Sequence, residues 1–204
     1  MQKLLIATTN PGKLEEIKKC LSNLPLQLLS LVDLGIKDKV EEDGKNFIEN
    51  AIKKAEFYGE ISGLPTIADD GGLEIDILNG EPGVKSRRWI NGIDASDEDL
   101  INYTLKKLKG VLPDKRGAQL RTVIALVLAN GKVYISEGMV RGIIAEKPHP
   151  GRTEGFPFRS LLFLPEIGKF YHKDDLTSEE NLKYNHRVKA LQKFKRIIAE
   201  SLLE

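Results

Sequence analysis

The first 22 residues join two kinds of segment through a short polar loop, and this order constrains the fold more than any other feature of the sequence. Residues 3–8 form an apolar run with the length of a buried strand. Residues 13–22 carry Leu14, Ile17 and Leu21 at the spacing of one helical face. A strand followed closely by an amphipathic helix favours a protein in which helices cover a β-sheet.

Helical and strand-like segments continue to alternate along the chain. We predict helices at about residues 46–59, 96–109 and 178–203, and strands at 65–68, 73–78, 121–128, 132–137 and 139–146. Asn130-Gly131 predicts a hairpin turn, and Ser96 and Ser178 are expected to cap the helices that follow them. This mixture is typical of an α/β or α+β protein, here a single domain over residues 1–204, with a central mixed sheet.

Between residues 65 and 78 the sequence predicts two strands separated by a turn. Asp69-Asp70-Gly71-Gly72 forms the predicted turn, because paired acids and paired glycines are common in turns. In the second strand, Leu73, Ile75 and Ile77 alternate with polar residues and are expected to face the core.

The balance of charge argues against several classes of partner. Lysine and arginine number 31 against 30 acidic residues, a net charge of +1, so no broad basic surface for nucleic acid or for a membrane is expected. A small anionic ligand needs only local charge.

No apolar run reaches the length of a membrane span. Cys20 is the only cysteine, which excludes an internal disulfide. The expected location is the cytoplasm.

The loop Thr8-Thr9-Asn10-Pro11-Gly12-Lys13 joins the first strand to a helix N-terminus. Backbone N–H groups and the helix dipole favour a phosphate there, and Lys13 adds a positive charge. The spacing of a P-loop is missing, because Leu14 follows the lysine. A phosphate site and an ordinary strand–helix turn both remain open.

Two acidic groups suggest a metal site. Glu41-Glu42-Asp43 precedes the second helix, and Asp69-Asp70 follows a buried strand. Adjacent carboxylates repel unless a cation or hydrogen-bond donors offset the repulsion, and hard oxygen ligands suit Mg²⁺. A functional role is favoured for Asp70, whereas Glu42 and Asp43 are expected to be solvated.

Three further groups have both a functional and a structural interpretation. Asn50 and Lys54 share a helical face and either contact phosphate or are solvated. The aromatic residues of Gly155-Phe156-Pro157-Phe158 either stack on a nucleobase or anchor the loop to the core. His186-Arg187 supplies hydrogen-bond donors within the last predicted helix.

Taken in order, these segments resemble the inosine/xanthosine triphosphate pyrophosphatase family along nearly the whole chain. The combination of Thr-x-Asn-x-Gly-Lys, Phe-x-Glu-Asn-Ala-x-x-Lys-Ala and Ala-Asp-Asp-x-Gly-Leu at these separations is specific, although no single motif would suffice. The matching stretches are ATTNPGKLEEI, EEDGKNFIENAIKKA, LPTIADDGGLEIDILNGEPGVKSRR, RGIIAEKP and NHRVKAL.

The resemblance implies an α/β fold with a long central mixed β-sheet, flanking helices and two lobes around a nucleotide cleft, in a homodimer. The implied reaction is hydrolysis of ITP, dITP or XTP to the monophosphate and pyrophosphate, which removes these nucleotides from the pool. Mg²⁺ is the implied cofactor, a nucleoside triphosphate is the implied small-molecule partner, and nucleic acid and membrane are not expected partners.

The resemblance also assigns roles to residues of this chain. Loop 8–13 would hold the triphosphate, Glu41 and Asp70 would bind the metal, and Asp70 would activate water. Gly71 would contact the substrate. The loop at Phe156 would stack on the base, and His186 with Arg187 would recognise its 6-keto edge.

The base pocket departs from the family pattern. The family has Gly-Phe-Gly-Tyr-Asp-Pro where this chain has Gly155-Phe156-Pro157-Phe158-Arg159-Ser160, and it has a lysine where this chain has Asn181. Gly71 replaces a serine. Arg159 and Asn181 either exchange opposite charges across the substrate pocket, or Arg159 points to solvent in a drifted loop.

Two other functions are compatible with these departures. One is a Maf-like pyrophosphatase acting on dTTP, UTP or modified nucleotides. The other is a nucleotide-binding protein without turnover.

Overall fold

The computed structural model describes residues 1–202 and contains five α-helices and seven strands within that range. The strands are β1 (Gln2–Ile6), β2 (Leu26–Ser30), β3 (Thr66–Ile75), β4 (Gly117–Val127), β5 (Val133–Ile144), β6 (Leu162–Leu164) and β7 (Lys169–Phe170). The helices are α1 (Pro11–Leu21), α2 (Phe47–Ser62), α3 (Asp97–Lys107), α4 (Ser178–Tyr184) and α5 (His186–Leu202). No helix in this range is long and apolar enough to cross a membrane.

The strands form one mixed sheet in the order β2-β1-β3-β4-β5-β6-β7. Strand β1 is parallel to both β2 and β3, whereas β5, β6 and β7 pair antiparallel. The predicted α/β class with a mixed sheet is therefore confirmed. Ile6 lies opposite Ile67 in the β1–β3 register, so the loop that leaves β1 lies beside the residues that follow Ile67 in β3.

The chain divides into two compact units, each with its own apolar core. The first comprises residues 1–70, 122–138 and the described chain from Arg187 onward, and the second comprises residues 71–121 and 139–186. The core of the first contains Leu4, Ile6, Ile17, Leu21, Ile67, Ile124, Leu126, Leu191 and Phe194. The core of the second contains Leu73, Ile75, Leu100, Ile101, Val140, Ile144, Phe158, Leu162 and Tyr171.

Strand β3 runs without interruption through the predicted turn at residues 69–72, so that prediction is wrong. Gly71 and Gly72 are both part of the extended strand. Gly72 is needed for close packing, because a Cβ there would lie 2.0 Å from Ser86 Oγ. The Ser86 hydroxyl accepts a hydrogen bond of 3.0 Å from the Leu73 N–H. Close packing, rather than chain reversal, explains this glycine.

The end of β3 also differs from the prediction. Leu73 and Ile75 are fully buried as expected, but the chain enters a short 3-10 helix at residues 76–78. Ile77 lies in that turn and is 46% exposed, so its predicted core position is wrong.

The hairpin at Asn130-Gly131 is present, and the strands around it are longer than predicted. Strand β4 begins at Gly117, and the two strands predicted over 132–137 and 139–146 are the single strand β5. Gly131 has a φ of 81°, which a glycine adopts without strain.

The helix predicted over 178–203 is two helices, and residue 203 lies outside the described residues. Asn185 leaves the helical conformation, with a ψ of 109°, and separates α4 from α5. The capping box belongs to Thr177 and Glu180 rather than to Ser178. Ser96 caps α3 as predicted, accepting a hydrogen bond from the Asp99 N–H.

Candidate functional site

The first unit contains a network of linked charged side chains next to the β1–β3 pair. We call it the charged centre, and it consists of Lys13, Glu16, Glu42, Lys54, Asp69, Asp70 and Arg187. Two adjacent aspartates of β3 organise it. Their side chains have different partners: Asp69 pairs with cations from α1 and α5, and Asp70 pairs with a cation from α2.

Asp69 links the start of α1 to the start of α5. Its Oδ2 lies 3.0 Å from Lys13 Nζ and 3.1 Å from both Nε and Nη2 of Arg187. The Asp69 side chain is fully buried. Burial alone would raise the pKa of this carboxyl, but Lys13 and Arg187 hold that pKa well below its ordinary value. Asp69 is therefore a buried anion that fixes two cations against β3.

Asp70 binds groups from α2. Its Oδ2 accepts a hydrogen bond of 3.1 Å from Asn50 Nδ2, and its Oδ1 lies 3.5 Å from Lys54 Nζ. Lys54 also lies 3.1 Å from Glu42 Oε2. Burial raises the pKa of Asp70, against the opposing effect of Lys54 and Lys13. Burial would lower the pKa of Lys54, but Asp70 and Glu42 together raise that pKa.

One face of α2 holds the acidic loop against β3. Asn46 caps the helix through the Glu49 N–H, which sets the register that buries Asn50 and Lys54 on one face. Asn50 Oδ1 accepts a hydrogen bond of 2.8 Å from the Gly44 N–H while its amide group binds Asp70. Neither Asn50 nor Lys54 is solvated, so that alternative is wrong for both.

The loop from Thr8 to Lys13 forms a capped helix start. Asn10 Oδ1 accepts a hydrogen bond of 3.1 Å from the Lys13 N–H, and Thr8 Oγ1 accepts one of 3.2 Å from the Asn10 N–H. Thr9 and Pro11 are exposed, whereas Gly12 and Lys13 are half-buried. The cap holds the backbone so that the Lys13 side chain reaches Asp69.

The predicted metal ligands lie at different depths. Asp70 is 7% exposed, and Gly71 follows it in β3. Glu41 is exposed in the acidic loop, and its role as a ligand stays a prediction. The neighbouring Glu42, for which the sequence predicts a solvated side chain, is 37% exposed and also pairs with Lys54. Among residues 1–202, no group of three or more histidine, cysteine or acidic side chains is arranged to hold a metal ion.

The residues of the charged centre nevertheless fit a metal ion that is shared with a ligand. The centre contains four carboxylates and three cations, so it has no surplus positive charge for a polyphosphate. Mg²⁺ is commonly held by one or two carboxylates together with water and substrate phosphates. Asp70 and a glutamate of the acidic loop are the groups that would hold such an ion.

The second unit contains the loop that was predicted to meet a base. Phe158 and Pro157 are buried, and Phe158 belongs to the core of this unit. Phe156 is half-buried, with the guanidinium carbon of Arg159 4.0 Å from its ring centroid. Arg159 is 8% exposed, so the alternative in which it points to solvent is wrong.

The two adjacent residues His186 and Arg187 have separate partners. His186 Nδ1 lies 2.9 Å from the Tyr171 hydroxyl in the second unit. Arg187 binds Asp69 and Glu16 in the first unit, with 2.6 Å between Nη1 and Glu16 Oε2. Their proposed shared role in reading a keto edge stays a prediction.

Asn181 is half-buried in α4, where its carbonyl accepts a hydrogen bond of 2.9 Å from the Asn185 N–H. Its amide oxygen lies 3.4 Å from Asn185 Nδ2. These contacts support the end of α4, and a role of Asn181 toward substrate stays a prediction.

The sequence carries no signal for Glu16 as a member of the charged centre. It placed Glu42 and Asp69 in acidic groups and Lys54 on one helical face with Asn50, but it did not predict the ion pairs of these three residues. The pairing of Glu16 with Arg187 depends on where α5 begins, because that boundary places Arg187.

The mixed sheet and the charged centre define an α/β protein in which two adjacent carboxylates of a central strand pair with cations from the flanking helices. Residues 4–197 match the Ham1 family. The chain is 42% identical over 193 residues to a dITP/XTP pyrophosphatase of Geobacter sulfurreducens, covering 95% of this chain and 96% of the relative. It is 39% identical over 191 residues to a dITP/XTP pyrophosphatase of Thermus thermophilus, covering 93% and 88%.

Solved structures agree with this result. A HAM1 protein from Coxiella burnetii superposes with a TM-score of 0.84 at 31% identity, covering 98% of this chain and all of that chain. The Ham1 protein of Staphylococcus aureus gives 0.81 at 30% identity, covering 98% and 99%. This chain belongs to the Ham1 family.

Proposed function

We propose that this protein hydrolyses non-standard purine nucleoside triphosphates, such as ITP, dITP and XTP, to the monophosphate and pyrophosphate. The observation that carries the proposal is the buried carboxylate of Asp70, bonded to Asn50 and Lys54 in a chain whose relatives are dITP/XTP pyrophosphatases. Removal of such nucleotides from the nucleotide pool would be its role.

The charged centre supplies the groups that this reaction needs. Asp70 accepts a proton from the attacking water as a new P–O bond forms, the α–β phosphoanhydride bond breaks, and pyrophosphate leaves. Lys13, at the capped start of α1, contacts the phosphate chain. Mg²⁺ bound by Asp70 and a loop glutamate, Glu41 in our proposal, would neutralise phosphate charge.

The base would contact the second group of residues. Phe156 is the proposed stacking surface, and His186 is a proposed donor to the 6-keto oxygen. Hypoxanthine and xanthine accept a hydrogen bond at this position, whereas adenine donates one, so ATP would be mispaired.

We further propose that the protein is a homodimer, which analytical ultracentrifugation tests, and that it is located in the cytoplasm.

A turnover assay tests this function. ITP, XTP, ATP, dTTP and UTP are each incubated with the protein, with Mg²⁺ or with a chelator, and pyrophosphate release is measured. We expect rapid release from ITP and XTP only with Mg²⁺. Preferred hydrolysis of dTTP or UTP would favour the Maf-like alternative, and binding without turnover would favour the second alternative.

A single variant tests the role of Asp70. Asp70→Asn keeps the side-chain shape and removes the charge, so we expect kcat to fall by at least about a hundredfold. Asp43→Asn, in the same acidic region but exposed, is the matched control and should keep its activity. Near-normal turnover by a folded Asp70→Asn protein would show that another group activates the water.

A further inference from the structure

Arg159 is a buried cation in contact with two aromatic rings. It lies in the 3-10 helix Pro157–Ser160 of the second unit. Its guanidinium carbon is 4.0 Å from the ring centroid of Phe156 and 5.2 Å from that of Tyr171. A charge that is 8% exposed is costly to bury, and the electron-rich faces of the rings offset part of that cost. The two ring contacts therefore stabilise the guanidinium at this position.

The backbone and a second contact extend this arrangement. The Arg159 N–H donates a hydrogen bond of 3.1 Å to the Phe156 carbonyl, which ties the two residues together. On the other side, the Tyr171 hydroxyl lies 2.9 Å from His186 Nδ1. Phe156, Arg159, Tyr171 and His186 are thus linked by successive contacts in the second unit. Two of these residues, Phe156 and His186, are proposed to contact the base.

The chemistry of a guanidinium limits which bases it accepts. It carries five N–H donors and no acceptor, so it favours keto oxygens and negative charge, and it cannot pair with an amino group. Xanthine carries a second keto oxygen at C2 and loses a ring proton more readily than hypoxanthine does. Guanine carries an amino group at C2 instead.

We propose that Arg159 is a specificity-determining residue that makes this protein prefer xanthosine triphosphate to inosine triphosphate. The inference rests on the proposed function, and it assigns the preference to one residue at which the chain departs from the family pattern. A residue that only packs the loop would affect both substrates equally.

The test is a comparison of kcat/KM for XTP and ITP, measured with Mg²⁺ in the wild type and three variants. We expect the wild type to prefer XTP by at least about tenfold, and Arg159→Met to lower the XTP-to-ITP ratio by about 10- to 100-fold. Arg159→Lys keeps the charge but loses the planar donors, so its ratio should fall less. Arg141→Met removes an exposed arginine of the same unit and should keep the wild-type ratio.

The outcomes separate this inference from the proposed function. If the wild type hydrolyses neither substrate, both proposals fail. If it hydrolyses both and Arg159→Met leaves their ratio unchanged, only the role of Arg159 is refuted. For a variant without turnover, the preference is measured instead as the ratio of the calorimetric affinities for XMP and IMP. If Arg159→Met does not fold, Arg159→Lys decides, and an unchanged ratio in that variant overturns the inference.

Discussion

Replacement of Asp69 by asparagine should destabilise the protein far more than the same replacement at Asp43. Both carboxylates form an ion pair with a lysine. The distance from Nζ to the carboxylate oxygen is 2.5 Å for Lys53 and Asp43 and 3.0 Å for Lys13 and Asp69. The two sites differ in burial, because the Asp69 side chain is fully buried and that of Asp43 is 59% exposed. The expected loss of unfolding free energy on replacement by asparagine therefore depends on the burial of the carboxylate rather than on the N–O distance.

The size of the expected loss in unfolding free energy follows from the charged partners that each replacement leaves behind. Without the Asp69 charge, Lys13 and Arg187 lose a common anion in a buried setting, and removal of one partner from a buried ion pair typically costs about 3–5 kcal/mol. At Asp43, an exposed pair contributes at most about 1 kcal/mol. For a protein of this length, about 3–5 kcal/mol lowers Tm by about 6–20 °C.

The assay is urea unfolding at neutral pH, followed by circular dichroism, with thermal unfolding as a second measurement. Asp69→Asn and Asp43→Asn are compared with the wild type in the same buffer without nucleotide. Equal losses of unfolding free energy in the two variants would refute this prediction, because they would mean that burial of Asp69 does not determine the strength of its contacts.

Three further predictions follow from local features. Gly72→Ala should lower the free energy of unfolding by about 1–3 kcal/mol, because the added Cβ would clash with the 83–86 turn. The control Gly59→Ala lies in α2, where the added Cβ would have ordinary contact distances, and it should be neutral or stabilising. Equal effects of the two variants would contradict the packing argument. Lys13→Ala should weaken ITP binding by about 10- to 100-fold and leave inosine binding nearly unchanged in calorimetry, and equal losses would argue against a phosphate role. Burial lowers the pKa of His172, with the charge of His149 acting in the same direction, so the folded protein favours the neutral ring. Stability present above the ordinary pKa of about 6.5 should be lost as pH falls below it, and Tm measured from pH 8 to pH 5 should depend less on pH in His172→Gln.

The class of fold was predictable because helical and strand periodicities are local. The same local rules failed at β3, where Asp69 to Gly72 have the composition of a turn. The extended conformation there depends on contacts with residues distant in sequence: Lys13 and Arg187 offset the charge of Asp69, and Ser86 packs against Gly72. Local composition contains none of this information.

The candidate site was predictable in part for the same reason. Lys13 and Asp70 carry strong local signals, a helix start after a strand and a pair of acids. The partners of Arg187 could not be predicted, because they depend on the break at Asn185 and on the position of Glu16 in α1. Arg159 was noticed through its departure from the family pattern, but only the structure places it against Phe156 and Tyr171.

The division of the chain bears on how the protein folds as it is synthesised. The chain passes between the two units four times, at residues 70–71, 121–122, 138–139 and 186–187. The core of the first unit contains Leu4 and Ile6 from β1 together with Leu191 and Phe194 from α5. During synthesis, β1 leaves the ribosome long before α5 is made. The core of the first unit is therefore complete only after α5 has been synthesised. Any truncation that removes α5 takes away one side of that core, and neither unit can be produced as one continuous segment of the gene.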